Sequence, residues 1–347
     1  MKRLIISLFF TVVTLYTTSS CKIFQAPESV TGDGVIKVCF QSFCFKQLIL
    51  SQINDAKNTI DVSLYGLEDE SISSALVDAK MNRNVQIRVV TDYDSEIEEG
   101  FKKLVKYGIP VVYGNTSGIM HNKYFIIDGR YIITGSTNLT SGLYEHFNNM
   151  LLFQSAALAA VFKSDFDRMF VEKRFGSTKD DVVPCPAGIR NVFTVSGYFL
   201  RQLEVFPYFT PYQLCSPTVF PFDPNPMEYD DPENPGTPLN YTNVMGYVVV
   251  PLIKNASKSI QVLAFSFTDK VVVDELKKAY TNRGVKVQVW MDESQYKSSF
   301  SHSGDRIKSL AATIKELKLC KPPDGLLHHK VIIIDDHTII IGSMNFS

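Results

Sequence analysis

The 347 residues hold a single tryptophan and almost no imbalance of charge: 35 basic and 36 acidic side chains give a formal charge of −1. With no global basic field the chain cannot grip nucleic acid by counterion release alone, and only a local basic site remains open. It has no CxxC pair, and none of its six histidines sits in an HExxH pattern. The two commonest zinc signatures are therefore missing. No apolar run reaches the roughly 20 residues of a membrane-spanning helix. A composition of 45% hydrophobic and 20% charged residues excludes disorder or a coiled coil as the main state. The length suits two domains or one two-lobed domain.

Lys2 and Arg3 precede an apolar run from Leu4 to Tyr16, followed by Thr-Thr-Ser-Ser and Cys21. A charged start, a short apolar core and small residues before a break predict a secretory signal peptide over residues 1–20, and hence export to the periplasm, the outer surface or the medium. Cys21, after Ser19 and Ser20, stands where a bacterial lipoprotein signal carries its lipidated cysteine, although Thr18 replaces the usual aliphatic residue. Cys21 is thus the candidate lipid anchor. The other cysteines are Cys39, Cys44, Cys185, Cys215 and Cys320, an odd number that leaves at least one thiol outside any pairing within the chain. Cys39 with Cys44 and Cys185 with Cys215 are candidate pairs, which spacing alone does not decide.

The chain contains one unit twice. Ala56-Lys-Asn-Thr-Ile-Asp-Val-Ser-Leu-Tyr65 matches Ala256-Ser-Lys-Ser-Ile-Gln-Val-Leu-Ala-Phe265, and Asn82-Arg-Asn-Val with strand-end Asp92 matches Asn282-Arg-Gly-Val with Asp292. Both pairs stand 200 positions apart. Alternation of Ile60, Val62 and Leu64, helical spacing of Ala75, Leu76 and Ala79, and renewed alternation of Val85, Ile87 and Val89 predict helix, strand, helix, strand in each copy. Such order predicts an α/β fold, with mostly parallel sheets covered on both faces. Residues 35–175 form the first lobe, 176–241 a linker and insert, and 242–347 the second lobe. From Phe206 to Tyr241 the insert carries nine of the 16 prolines, an acidic cluster (Glu228, Asp230, Asp231, Glu233) and eight aromatics. No regular helix or central strand is expected there, but a loop packed on its own aromatics, which otherwise would line a site rim or rest on a membrane.

Each copy ends in one pattern: His121-x-Lys123 with Asp128, then Gly135-Ser136-Thr-Asn138, and His328-x-Lys330 with Asp335, then Gly342-Ser343-Met-Asn345. A single HxKxxxxD arises by chance in roughly one chain in fifty at average usage. Two, each with GSxN at the same distance, do not. The apolar run after each lysine predicts a buried strand, on which residues i and i+2 share a face, so each histidine and lysine point at one ligand. A neutral imidazole beside an ammonium suits attack on phosphorus. Glycine lets the turn come close, and serine and asparagine add polar contacts to phosphoryl oxygens. Two copies about a pseudo-twofold axis would bring two histidines to opposite sides of one phosphorus, one attacking while the other protonates the leaving oxygen. His328, His329 and His337 near Asp335 and Asp336 admit a metal-ligand reading, which this motif explains better.

These residues resemble the paired signatures of the phospholipase D superfamily, over both repeats and outside the Pro-rich insert. The resemblance implies two α-β-α sandwich lobes with the site at their interface, and phosphodiester hydrolysis or exchange through a covalent phosphohistidine, without metal or cofactor. It implies His121 as nucleophile and His328 as general acid. Lys123, Lys330, Asn138 and Asn345, with Ser136 and Ser343, would hold the phosphate oxygens. Asp128 and Asp335 complete the motif and, on the far side of each strand, support it structurally. With both motifs in one chain a monomer can complete the site.

Two departures stand out. Where the family often has an acidic residue bonded to a motif histidine, the chain reads His146-Phe-Asn148-Asn149, and asparagine orients an imidazole without stabilising its cation; Glu145 is the nearest substitute acid. The second copy, ending at Ser347, also lacks the strand and helix that follow the first, which leads us to expect a longer natural protein. Export, a candidate anchor and an aromatic insert favour phospholipid at a membrane surface as substrate. An endonuclease acting on DNA or RNA is the alternative, supported by nuclease-like wording after the motifs and by a helix expected to carry Arg306, Lys308, Lys315, Lys318 and Lys321. A surface binding protein that has lost turnover is the third.

Overall fold

A computed structural model describes residues 34–40, 42–114, 118–175, 193–196, 202–209, 227–241, 244–297 and 303–346. The expected leader, Cys21 and the candidate pair Cys185–Cys215 lie outside these residues, as do five of the insert's prolines.

The first lobe runs β1 (Gly34–Cys39), α1 (Ser42–Asp55), β2 (Thr59–Leu64), α2 (Glu70–Arg83), β3 (Gln86–Thr91), α3 (Glu99–Lys106), β4 (Val111–Tyr113), β5 (Lys123–Ile127), β6 (Tyr131–Gly135), β7 (Met150–Gln154) and α4 (Ala156–Phe170). With β8 (Phe193–Ser196) and β9 (Gln202–Val205) its sheet has the order β4-β3-β2-β5-β6-β7-β1-β8-β9. The linker segment thus contributes two strands to this sheet. Pairing is parallel across β4-β3-β2, where α2 and α3 cross over, and antiparallel at β5, β6 and β7, where a tight turn joins β5 to β6 and a longer loop, residues 136–149, joins β6 to β7. Most strands of the sheet still share one direction, with β5, β7 and β9 reversed.

Helical periodicity and capping place α2: Asp69 accepts from the Ile72 N–H, and Ile72, Ser73, Leu76 and Ala79 face inward. Helices α1, α2 and α3 cover one face of the sheet through Phe45, Ile49, Ile53, Leu76, Phe101 and Leu104. On the other face α4 packs Phe162 and Phe166 against Val90, Tyr124 and Ile132.

A hairpin, β10 (Met227–Asp230) with β11 (Pro238–Tyr241), lies within the Pro-rich insert. Then α5 (Val250–Asn255), β12 (Ser259–Ala264), α6 (Lys270–Asn282), β13 (Lys286–Asp292), α7 (Glu293–Lys297), α8 (Ser303–Thr313), β14 (Leu317–Cys320), β15 (Lys330–Ile334) and β16 (Thr338–Ile341) build the second lobe. Its sheet, β14-β13-β12-β15-β16, repeats the order of the first from β4 to β6. One face is packed by α5, α6 and α8. Burial along β12 alternates, whereas β2 is buried on both sides, so the expectation of two covered faces holds for the first lobe alone among the described residues.

The insert is expected to pack on its own aromatics; its buried aromatics pack on the lobes instead, and residues 210–226 lie outside the described residues. Tyr229 is buried in the second core and donates its hydroxyl to the Gly246 carbonyl, and Phe209 is buried in the first. Two members of its acidic cluster form ion pairs, Asp231 with Lys270 and Glu233 with Arg306. The expected basic helix does not form as one unit: Arg306 and Lys308 lie on α8, Lys315 follows it and Lys318 lies on β14.

Candidate active site

Each motif is carried into the lobe interface by the central strands. In the sheet registers Leu64 pairs with Lys123 and Ala264 with Lys330, so the residues after β2 and β12, Tyr65 and Phe265, arrive beside the motifs. The Tyr65 N–H donates to the Asn122 carbonyl and the Phe265 N–H to that of His329, each at 3.0 Å. Their rings then flank the histidines, Tyr65 at 5.1 Å from His121 and Phe265 at 5.0 Å from His328 between centroids. The strand-end aspartates anchor the approach. Asp92 accepts the Met120 N–H at 2.6 Å and Asp292 the Leu327 N–H at 2.7 Å, fixing the residue before each motif histidine.

The two histidines are held crosswise. His121 Nδ1 lies 3.1 Å from the carbonyl of Ser343 in the second lobe, and His328 Nδ1 lies 3.1 Å from the carbonyl of Ser136 in the first. A carbonyl only accepts, so Nδ1 carries the proton in both rings and each Nε2 presents a lone pair. His328 gains a second acceptor, the Asn148 amide oxygen at 3.0 Å. The turn that delivers Ser136 needs a glycine before it: a Cβ at Gly135, with φ at +154°, would stand 2.2 Å from the Asn149 carbonyl oxygen.

Lys123 and Lys330 are buried and each donates to the carbonyl of its own motif histidine, at 2.9 and 3.0 Å. Their ammonium groups also stand 5.4 and 5.3 Å from the Tyr65 and Phe265 ring centroids. Burial, and then the charges of Lys123 and Lys330, lowers His121 from 6.5 to about 3, and burial with the same charges lowers His328 to about 2. Burial brings Lys330 down to about 7 and holds Lys123 well below its ordinary range. Two neutral imidazoles and two destabilised ammoniums make a cavity that favours an anion.

The other motif residues divide. Asp128 accepts the backbone N–H groups of Lys57, Asn58 and Thr59, and Asp335 those of Ser257, Lys258 and Ser259, all within 3.0 Å. Both aspartates adopt positive φ, 51° and 52°, at the far end of β5 and β15, and clamp the start of β2 and β12. Ser136, read from sequence as a phosphate contact, instead spends its hydroxyl inside the turn, donating to Asn148 and accepting the Asn149 N–H. Ser343 meets His121 through its carbonyl. The amide oxygens of Asn138 and Asn345 are buried without a hydrogen-bond partner, at matching places in the two lobes, an unfavourable state that a polar ligand relieves. Glu145 is exposed, and the neighbour of Asn148 that enters the site is His146, with its ring 5.8 Å from that of His328. The metal-ligand reading finds no geometry: His337 is exposed and bonded to Thr338, and no group of three potential ligands gathers among the described residues.

Sequence reasoning missed Tyr65, Phe265 and the anchoring role of Asp92 and Asp292. All four were visible as matched positions of the repeat, but nothing in their spacing linked them to the motif.

A family model described as "Cardiolipin synthase, PLD-like domain" matches residues 49–170 and 249–347, which takes in both motifs. The chain belongs to the phospholipase D-like family. A protein named phospholipase D from Rickettsia prowazekii is 35% identical over 150 residues, 42% of this chain and 72% of its own length. Another of that name from Rickettsia bellii is 35% identical over 130 residues, 36% of this chain; the match spans 63% of that relative, just under two thirds. The crystal structure of a phosphatidylserine synthase from Haemophilus influenzae covers 86% of this chain and 76% of its own at a TM-score of 0.55. At 14% identity that likeness concerns the fold, and it extends the phospholipase D-like architecture over both lobes.

Proposed function

We propose that the chain is a phospholipid phosphodiesterase working through a phosphohistidine. The observation that carries this is the crosswise seating of His121 and His328 between two buried lysines. A phosphodiester bound here brings negative charge to the ammonium groups, offsetting the lysine field that, after burial, keeps His328 neutral, and lets His328 take up a proton. Nε2 of His121 then attacks phosphorus while protonated His328 gives its proton to the leaving alkoxide, so one P–N bond forms and one P–O bond breaks. Water, giving a proton to His328, next attacks the phosphohistidine; the P–N bond breaks and both imidazoles return to their first state. A primary alcohol in place of water yields exchange.

Asn148 supports this division of labour. In the free protein His328 is lowered further than His121, to about 2 against about 3, but it has two acceptors at Nδ1 where His121 has one, which steady an imidazolium once bound phosphate offsets the lysine charges. The names of the relatives, the lack of a basic field and the dispersal of the second-lobe lysines support phospholipid over nucleic acid. Both half-sites stand in one chain, so a monomer suffices. The sequence of residues 1–21 supports export with anchoring through Cys21. The test is incubation, with EDTA, of the protein with phosphatidylcholine plus a primary alcohol, and separately with single- and double-stranded DNA. Phosphatidyl-alcohol is expected; cut DNA without it would select the nuclease, and silence in both a binding protein.

A further inference from the structure

Four of the first lobe's exposed aromatics group beside the motif turns: Phe40, Phe43, Tyr144 and Phe147 are 50%, 43%, 50% and 50% exposed, while Tyr93 and Tyr107 stand apart from them. Their continuity can be traced. Phe40 follows Cys39, which pairs with Met150 at the end of the sheet where the first GSxN turn leaves β6. Its ring meets that of His329 at 6.2 Å, and His329 Nδ1 lies 3.2 Å from the Asn149 amide nitrogen. Two residues before Asn149, the Phe147 backbone pairs with Leu326 and His328. On the other flank Phe43 lies one helical turn before Lys46, whose ammonium stands 5.6 Å from the Tyr144 ring. A disulfide between Cys39 and Cys44 fastens the end of β1 to the first turn of α1, so Phe40 and Phe43 project from a closed link.

We propose that this rim is the surface by which the chain docks on a phospholipid bilayer, with the aromatics entering the headgroup region and the cleft facing the lipid phosphates. The inference rests on the phospholipid reading above. It commits to a zwitterionic surface for two reasons of charge. The segment from Cys39 to Cys44 has no charged residue. The charges beside the rim are exposed Glu145 and Asp324, both acidic, and a Lys46 already paired with Asp69 at 3.0 Å. Apolar insertion rather than anion attraction therefore supplies the binding, as amphipathic rings do at a membrane interface. Of the insert aromatics, Tyr229 and Phe209 are buried and Phe206 and Tyr208 half-buried, so none of these four is exposed as the rim rings are.

The test uses phosphatidylcholine vesicles and a soluble diester, bis(p-nitrophenyl) phosphate. Phe43→Ser with Phe147→Ser should weaken vesicle binding about 10-fold or more, lower the rate on vesicles in step, and leave the soluble diester rate unchanged. Because Trp290 is the sole tryptophan, Phe43→Trp adds a reporter whose emission should shift to the blue with vesicles but not with DNA. Unchanged vesicle binding in the double variant, or no blue shift, overturns the proposal, as does a shift with DNA alone. If the protein binds vesicles with the expected shift yet cleaves only the soluble diester or DNA, docking stands and the phospholipid reading falls.

Discussion

The two lobes carry the same chemistry on unequal scaffolds. In the first, β2 is buried on both sides, between α1, α2 and α3 on one face and α4 on the other. In the second, β12 buries only alternate residues. Yet the parts that touch the motif are matched almost atom for atom: Asp92 with Asp292, Tyr65 with Phe265, Asp128 with Asp335, the Ser136 carbonyl with that of Ser343. What differs is the support of the imidazoles, since only His328 meets a side-chain acceptor among the described residues. Layer packing is free to diverge where it serves only stability, while the geometry around phosphorus is not.

The sharpest way to break the matched pair is to remove one histidine at a time. His121→Ala should lower turnover of any diester by about 10³-fold or more. His328→Ala should do the same with an alkyl leaving group but far less with p-nitrophenolate, which departs without a proton. Equal losses on both substrates would show that the roles are not divided. His146→Ala should keep near-normal turnover. Replacing Asn148 by Ala should cost about 10- to 100-fold, and Asn148→Asp should move the His328-dependent limb of the pH–rate profile upward, because a carboxylate favours the imidazolium. An unmoved limb would remove Asn148 from the mechanism.

The lysines predict a direction with pH. Lys330 titrates near 7 in the free protein, so kcat/KM should fall as pH rises past about 7 while kcat, read with phosphate bound, falls later. Lys330→Arg should abolish that limb. The smallest effect should come from the far end of the motif strands. Asp335→Ala removes acceptors for three N–H groups and should cost about 1–3 kcal/mol of stability, by urea denaturation, with little change in rate per folded molecule. Its carboxyl is lowered from 3.8 to about 2, so this stabilisation is complete above 3.8 and vanishes as pH drops through about 2. If Asp335→Ala instead destroyed turnover in a fully folded protein, the clamp reading would fail.

Much of this was legible in the residues. Repeats with equal offsets and strand periodicity gave the two lobes, and HxK spacing on a strand placed His121 with Lys123 and His328 with Lys330. The supporting role of Asp128 came with the resemblance, which set it on the far side of the strand. The function of Ser136 was misread because a hydroxyl in a Gly-Ser turn bonds as readily to its own loop as to a ligand, and only the fold of residues 148–149 decides. Tyr65 and Phe265 escaped because an aromatic after a strand is ordinarily core. The contact of Asn148 with His328, 180 residues apart, was reached only through the resemblance, since a bond between lobes leaves no local pattern, and nothing told which motif histidine would receive it.

One consequence follows from the crosswise serine carbonyls. Since each motif imidazole takes its tautomer from the opposite half of the molecule, neither half is poised by itself for the chemistry proposed above. Any hinge opening of a few ångströms would let both rings spin and swap protons with solvent, silencing the enzyme while leaving every reactive group in place. Catalytic competence is thereby a readout of closure, and a ligand or a crosslink that wedges the halves apart would inhibit without ever entering the phosphate pocket.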